Sequence, residues 1–184
     1  MASITAIILT RNEKDFIEDC IRSIQKITER IVVVDSFSED NTVELAKNMG
    51  AEVYQHEFFN YSKQYKYAVE IANVKTKWIL RIDADERLTS ESAVELEQLC
   101  NDNENTNVTG IVLRFYNMFL AKPMYHGGMY PWKKLSVYKT GIGDIEDRNM
   151  DEHIILSSGT VIETKKDSKH LAYRGLTFFT NKSN

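Results

Sequence analysis

Four short apolar runs, separated by segments with helical spacing, set the architecture open to this chain. Residues 3–10, dominated by Ile and Thr, read as a strand buried on both faces; Ile31, Val32, Val33 and Val34 form a second run, residues 51–56 a third, and Trp78 to Ile82 a fourth. Between them Phe16, Ile17, Cys20, Ile21, Ile24 and Ile27 fall on one helical face. Gly50 closes a second helical segment, and Tyr61, Tyr65, Ala68 and Ala72 mark a third. Asn12 is expected to cap the first helix and Ser38 the second. Strand-helix alternation with short connections predicts an α/β fold, a Rossmann-like doubly wound sheet of mostly parallel strands.

Composition narrows the partners. A chain of 184 residues suits one domain, spanning residues 1–184. Twenty-three Lys and Arg stand against 27 Asp and Glu, a formal charge of -4, which argues against nucleic acid as a partner. Cys20 and Cys100 both sit in helical patterns without the paired spacing of a zinc or redox site, so reduced core thiols are expected. The start of the chain has no charged-then-apolar leader, and no apolar run approaches the ~20 residues that cross a bilayer, which reads as cytoplasmic.

In doubly wound sheets ligands lie beyond the carboxyl ends of the strands. Polar residues gather there: Thr10, Arg11, Asn12 and Glu13 after the first strand, Asp35 after the second, Asp83 and Asp85 after the fourth. In an extended chain Asp83 and Asp85 project to one side, and hard divalent cations take such oxygens. Taken singly, Asp-x-Asp can be a solvated turn, Asp35 a turn residue or cap, and Arg11 a surface charge. Together they outline a polar cleft suited to a nucleotide sugar.

These segments resemble the family 2 inverting glycosyltransferases of the GT-A fold, in particular the bacterial subgroup with lipopolysaccharide-core glucosyltransferases. The likeness covers almost the whole chain. Residues 8–13 resemble the opening strand and Asn-Glu turn, and residues 32–43 the nucleoside-binding turn, with Phe37 where a glycine is usual. Residues 61–68 resemble the Gln-Arg-Asn segment, with Lys66 in the arginine's place and Tyr67 in the asparagine's; a lysine keeps the charge but not the bidentate fork. Residues 83–87 resemble the Asp-x-Asp element. His126, Gly127 and Gly128 open a His-Gly-Gly segment in which Met129 replaces a tryptophan and Trp132 an aspartate. Glu152 aligns with the family's general base, beside Asp151, and His170 with its late histidine.

The resemblance implies a GT-A sheet with a smaller antiparallel acceptor-side portion. It implies donor contacts from Thr10, Arg11, Asn12, Glu13, Asp35, Lys66, Asp83 and Arg174, and Mn²⁺ or Mg²⁺ held by Asp83, Asp85 and His170. His126, Gly127, Gly128 and Trp132 would border the acceptor, and Glu152 or Asp151 would take its proton. The implied activity is transfer of one sugar from a nucleotide-diphosphate donor, a UDP-sugar, to a cell-surface glycan or lipopolysaccharide precursor with inversion. The acceptor would be a glycan or glycolipid, which allows peripheral membrane association. A sugar-nucleotide nucleotidylyltransferase would want a glycine-rich loop after the first strand, which residues 10–13 lack. An aspartyl-nucleophile phosphatase would want a threonine where Arg87 stands. A non-catalytic nucleotide-sugar-binding protein stays open, given Tyr67 and Trp132.

Further along, Thr89 or Ser90 is placed to cap a helix carrying Ala93, Leu96, Leu99 and Cys100. Residues 101–107 read as a surface loop, 108–116 as a strand returning to the sheet, 133–139 as an edge or partner strand, and 154–156 as a short strand. Leu176 begins another helical pattern shortly before Asn184, where family members usually continue, so the chain is expected to be a truncated or short member.

Overall fold

The computed structural model describes residues 2–119, 122–126, 130–147 and 153–171. In chain order the elements are β1 (Ile4–Thr10), α1 (Ile17–Ile24), β2 (Arg30–Asp35), α2 (Thr42–Asn48), β3 (Glu52–Gln55) and α3 (Tyr61–Ala72). They continue through β4 (Trp78–Arg81), β5 (Glu86–Arg87), α4 (Ser90–Asp102), β6 (Val108–Phe119), β7 (Lys122–Met124) and β8 (Trp132–Lys139), ending with β9 (Gly143–Ile145), β10 (Ile154–Leu156) and β11 (Thr160–His170). The main sheet runs β3-β2-β1-β4-β8-β6-β11-β5, with β7 beside β6, and β9 and β10 pair separately. β3, β2, β1 and β4 are mutually parallel. β8 runs antiparallel to both β4 and β6, which makes the junction between the parallel half and the rest.

β1 is buried on both faces because helices cover both. Ile4, Ala6 and Ile8 pack with Ile17, Cys20, Ile21 and Ile24 of α1 and with Leu96 and Cys100 of α4. Ile7, Val32 and Val34 pack on the other side with Tyr65, Ala68 and Ala72 of α3. Two polar tethers fix these layers: the Trp78 indole N–H donates to the Cys100 carbonyl (3.2 Å), and the buried Tyr65 and Tyr138 hydroxyls meet at 2.9 Å. Cys20 and Cys100 are buried free thiols, and burial pushes the Cys100 thiol up to about 12.

Two local expectations need correction. Asn12 does not cap α1; it adopts φ 56, accepts the Glu39 N–H on Oδ1 (2.9 Å), and its own N–H donates to Ser38 Oγ (2.8 Å). Ser38 does not cap α2, since its hydroxyl is turned back onto Asp35. Both residues instead knit together the turns that follow β1 and β2. Of the two readings of 133–139, the partner strand holds, because β8 is paired on both sides. Thr89 does cap α4, through a reciprocal capping box with Ser92, and Gly50 ends α2 at φ 84.

Candidate functional site

β1 lies between β2 and β4, so the carboxyl ends of these strands place Thr10, Asp35 and Asp83 along one edge of the sheet. Asp35 is fully buried. Its Oδ1 accepts the Thr10 hydroxyl (2.8 Å) and the Ser38 hydroxyl, while Oδ2 accepts the Ser38 N–H (2.8 Å) and faces Gln55 Nε2 at 3.5 Å. The carboxylate is therefore wired into its own turn, and Oδ2 keeps the weaker of its contacts. Phe37, next in the turn, is exposed at φ 52, a left-handed conformation in which glycine would be unstrained. Arg11 is exposed and Glu13 buried, with the Glu13 N–H donating to Thr42 Oγ1 (2.8 Å).

α3 supports this turn through Gln64, which the family motif did not single out, and through Tyr67, which stands in the motif's asparagine place. Gln64 donates from Nε2 to Ser36 Oγ (3.1 Å) and to the His56 carbonyl (3.2 Å), and Tyr67 stacks on the His56 ring at 3.8 Å. Lys66 points elsewhere. Its Nζ lies 4.0 Å from Asp144 Oδ2, beside a cavity under Tyr138 that Asp83 does not line.

The two aspartates after β4 have separate partners. Asp83 accepts Tyr61 Oη–H on Oδ1 (3.0 Å) and the Lys134 ammonium on Oδ2 (2.7 Å). Lys134 reaches across from β8 and also donates to both oxygens of Glu86 (2.8 and 3.0 Å), which in turn accepts the Asp83 N–H (2.9 Å). Asp85 instead faces His170, with Oδ2 3.6 Å from Nε2, and His170 Nδ1 donates to Asn117 Oδ1 (2.9 Å). Trp132, two residues before Lys134, packs on the His170 ring at 5.0 Å.

One ammonium thus serves two carboxylates, which drives their acidities apart. Burial pushes Glu86 up to about 7 despite Lys134. Burial also opposes the charge on Asp83, yet Lys134 and then Arg81 overcome it and hold that carboxyl down at about 2. Burial works against a charged His170 as well, but the Asp85 carboxylate raises its affinity for a proton above the ordinary value.

Among the described residues no three His, Cys, Asp or Glu side chains close around a common point, so the expected trio Asp83, Asp85 and His170 is not assembled. Asp83 is claimed by Lys134. The donor set that fits a hard or borderline divalent cation is the pair Asp85 and His170, an acid and an imidazole whose far nitrogen is fixed by Asn117. On the β8 side a cavity of about 310 Å³ opens beside Asp83, lined in part by Tyr61, Arg81, Trp132, Lys134 and His153. His126 is exposed. Gly127, Gly128, Asp151, Glu152 and Arg174 lie outside the described residues.

Sequence reasoning missed Lys134, Glu86, Tyr61 and Asn117. Lys134 was hidden by a bulge: β8 pairs Val137 with Ile111 but Leu135 with Val112, leaving Ser136 as an extra residue. Simple alternation then fails, and Leu135 packs with the cluster of Tyr138 instead of that of Val137. A lysine beside the apolar run Leu135, Val137, Tyr138 was the available signal.

The fold and this edge define a GT-A glycosyltransferase architecture. A family model for glycosyl transferase family 2 matches residues 5–156, and the chain belongs to that family. An uncharacterized glycosyltransferase of Rickettsia bellii is 42% identical over 96 residues, 52% of this chain and 32% of that protein. The chain spans between 32% and 40% of the length of the first curated relatives it matches. Among solved structures, a mannosyltransferase from Pyrobaculum calidifontis in complex with GDP-Man and Mn²⁺ superposes with a TM-score of 0.66 at 16% identity, over 96% of this chain and 59% of that one. Mannosyl-3-phosphoglycerate synthase from Rubrobacter xylanophilus gives 0.60 at 17% identity, over 99% and 70%.

Proposed function

We propose that residues 1–184 act as one metal-dependent glycosyltransferase domain that moves a sugar from a UDP-sugar to a glycan or glycolipid precursor of the cell envelope, with inversion. The observation that carries this reading is the row Thr10, Asp35, Asp83, Asp85 and His170 along the carboxyl edge of the sheet, beside an open cavity. Asp35 would accept an N–H from the base on Oδ2, where Gln55 is its weaker partner. Asp85 and His170 would hold a divalent cation, Mn²⁺ or Mg²⁺, which would supply neutralising charge for the diphosphate. The Mn²⁺ in the Pyrobaculum complex supports that part of the reading. Asp83, braced by Tyr61 and Lys134, would orient the donor, and Trp132 would form the wall of the cavity that receives the acceptor.

Inversion needs a carboxylate opposite the leaving group, and Glu152 is the proposed base, with Asp151 its neighbour. Glu152→Gln is expected to lower turnover by about a hundredfold while leaving donor affinity within a factor of a few. Membrane contact, if the acceptor is lipid-linked, would be peripheral; among the described residues no helix is long and apolar enough to cross a bilayer. The test is release of nucleoside diphosphate from a panel of UDP- and GDP-sugars, with acceptor fractions, with and without Mn²⁺ or Mg²⁺. Acceptor-dependent UDP release upholds the proposal. Pyrophosphate release would indicate nucleotidyl transfer, and binding without turnover a binding protein.

A further inference from the structure

We propose that Lys134 is a positioning residue, a tethered cation that holds Asp83 and Glu86 and keeps a divalent metal off Asp83, leaving Asp85 and His170 as the metal's protein ligands. This rests on the metal-dependent reading above. The geometry is specific. The Lys134 side chain is only 11% exposed, and its ammonium has three carboxylate oxygens within 3.0 Å, two from Glu86 and one from Asp83. An ammonium has three donors, so all are used. The other oxygen of Asp83 accepts from Tyr61, whose own oxygen accepts from Arg81 Nε (3.0 Å). Both oxygens of Asp83 are thus occupied by protein donors.

A cation bound directly to Asp83 would have to displace the ammonium or stand a few ångströms from it, with two like charges in a partly dry site. Asp85 carries no such obstacle: the side chain it faces is His170, at 3.6 Å, too long for a hydrogen bond. The same strand serves both halves, because Trp132 packs on His170 while Lys134 neutralises the pair next door. Removing Lys134 would free Asp83 Oδ2 and both oxygens of Glu86 from the ammonium, with Arg81 left as the cation acting on Asp83, which favours recruitment of a metal ion to those oxygens.

The test is a Mn²⁺ titration of the nucleotide-free protein by electron paramagnetic resonance, with thermal unfolding in EDTA and in Mn²⁺. Asp83→Asn should leave Mn²⁺ affinity within about threefold, whereas Asp85→Asn should weaken it by about tenfold or more. Lys134→Met should tighten Mn²⁺ binding by about tenfold, and Mn²⁺ should raise its unfolding temperature more than that of the wild type. If Lys134→Met folds only with Mn²⁺ present, the inference stands equally; if it does not fold at all, the Asp83→Asn result decides. Equal losses in Asp83→Asn and Asp85→Asn, or an unchanged affinity in a folded Lys134→Met, would overturn the role of Lys134 alone. An unchanged affinity in Asp85→Asn would overturn the metal reading and this inference with it.

Discussion

Glu86→Gln should flatten part of the pH dependence of stability in the metal-free protein. Glu86 has no exposed side-chain surface, and burial pushes its carboxyl up to about 7 from an ordinary 4.5. Between those values the folded chain holds a proton that the unfolded chain has released, so stability falls as pH rises through the window and levels off above it. Asp83 works in the opposite sense: held down at about 2, it contributes stability above its ordinary value of 3.8 that is lost as pH falls. Together these two groups favour the fold most between about pH 4 and 5. Because Glu86 and Asp83 share Lys134, the swing from pH 5 to pH 8 should be on the order of 1–3 kcal/mol. His170, whose proton affinity is raised, also loses its contribution as pH climbs, so the quantity to read is the difference between the two proteins. Urea unfolding in EDTA at pH 5 and pH 8 supplies it. The cost of Glu86→Gln should be larger at pH 5 than at pH 8, and a cost that is equal at both, or larger at pH 8, refutes the assignment of the raised pKa to Glu86.

Three further outcomes are expected. Trp132→Ala removes the ring against His170 and should weaken Mn²⁺ binding by about three- to tenfold with little change in unfolding temperature; an unchanged affinity would mean that the stacking does not orient the imidazole. Tyr65→Phe leaves the buried Tyr138 hydroxyl without its mate and should cost about 1–2 kcal/mol in urea, most of it regained in the Tyr65→Phe, Tyr138→Phe double variant. Phe37→Gly relieves a left-handed backbone at an exposed position and should stabilise the chain by about 0.5 kcal/mol after the glycine's own entropy is counted, so a measurable loss would show that the Phe37 ring is held by packing.

The parallel half of the sheet was legible because its strands are buried on both faces and read as unbroken apolar runs, as Val32 to Val34 do, while Cys20, Ile21 and Ile24 keep a clean helical period. The place of the Asp-x-Asp element was legible for a related reason: an apolar strand of a parallel sheet that stops at two acids puts charge at the carboxyl edge, where such folds bind ligands. What the acids do was not legible, since it depends on Lys134, a residue 51 positions from Asp83 that is brought there by an antiparallel strand with a bulge. Local sequence also misread Asn12 and Ser38 as helix caps. Both side chains are good capping groups, and the competing use, closing two neighbouring turns onto Asp35, exists only once β1 and β2 are side by side. Cross-strand partners of this kind leave no period in the sequence.

Calorimetric titration of UDP into the protein, in Mn²⁺ and in EDTA, puts the metal-dependent donor site to the test. Binding in Mn²⁺ should weaken by about tenfold or more in EDTA and be lost to a similar degree in Asp85→Ala, since on the proposed reading a diphosphate in this cleft needs a cation held by Asp85 and His170. Equal affinity in Mn²⁺ and EDTA, together with wild-type affinity in Asp85→Ala, would contradict it.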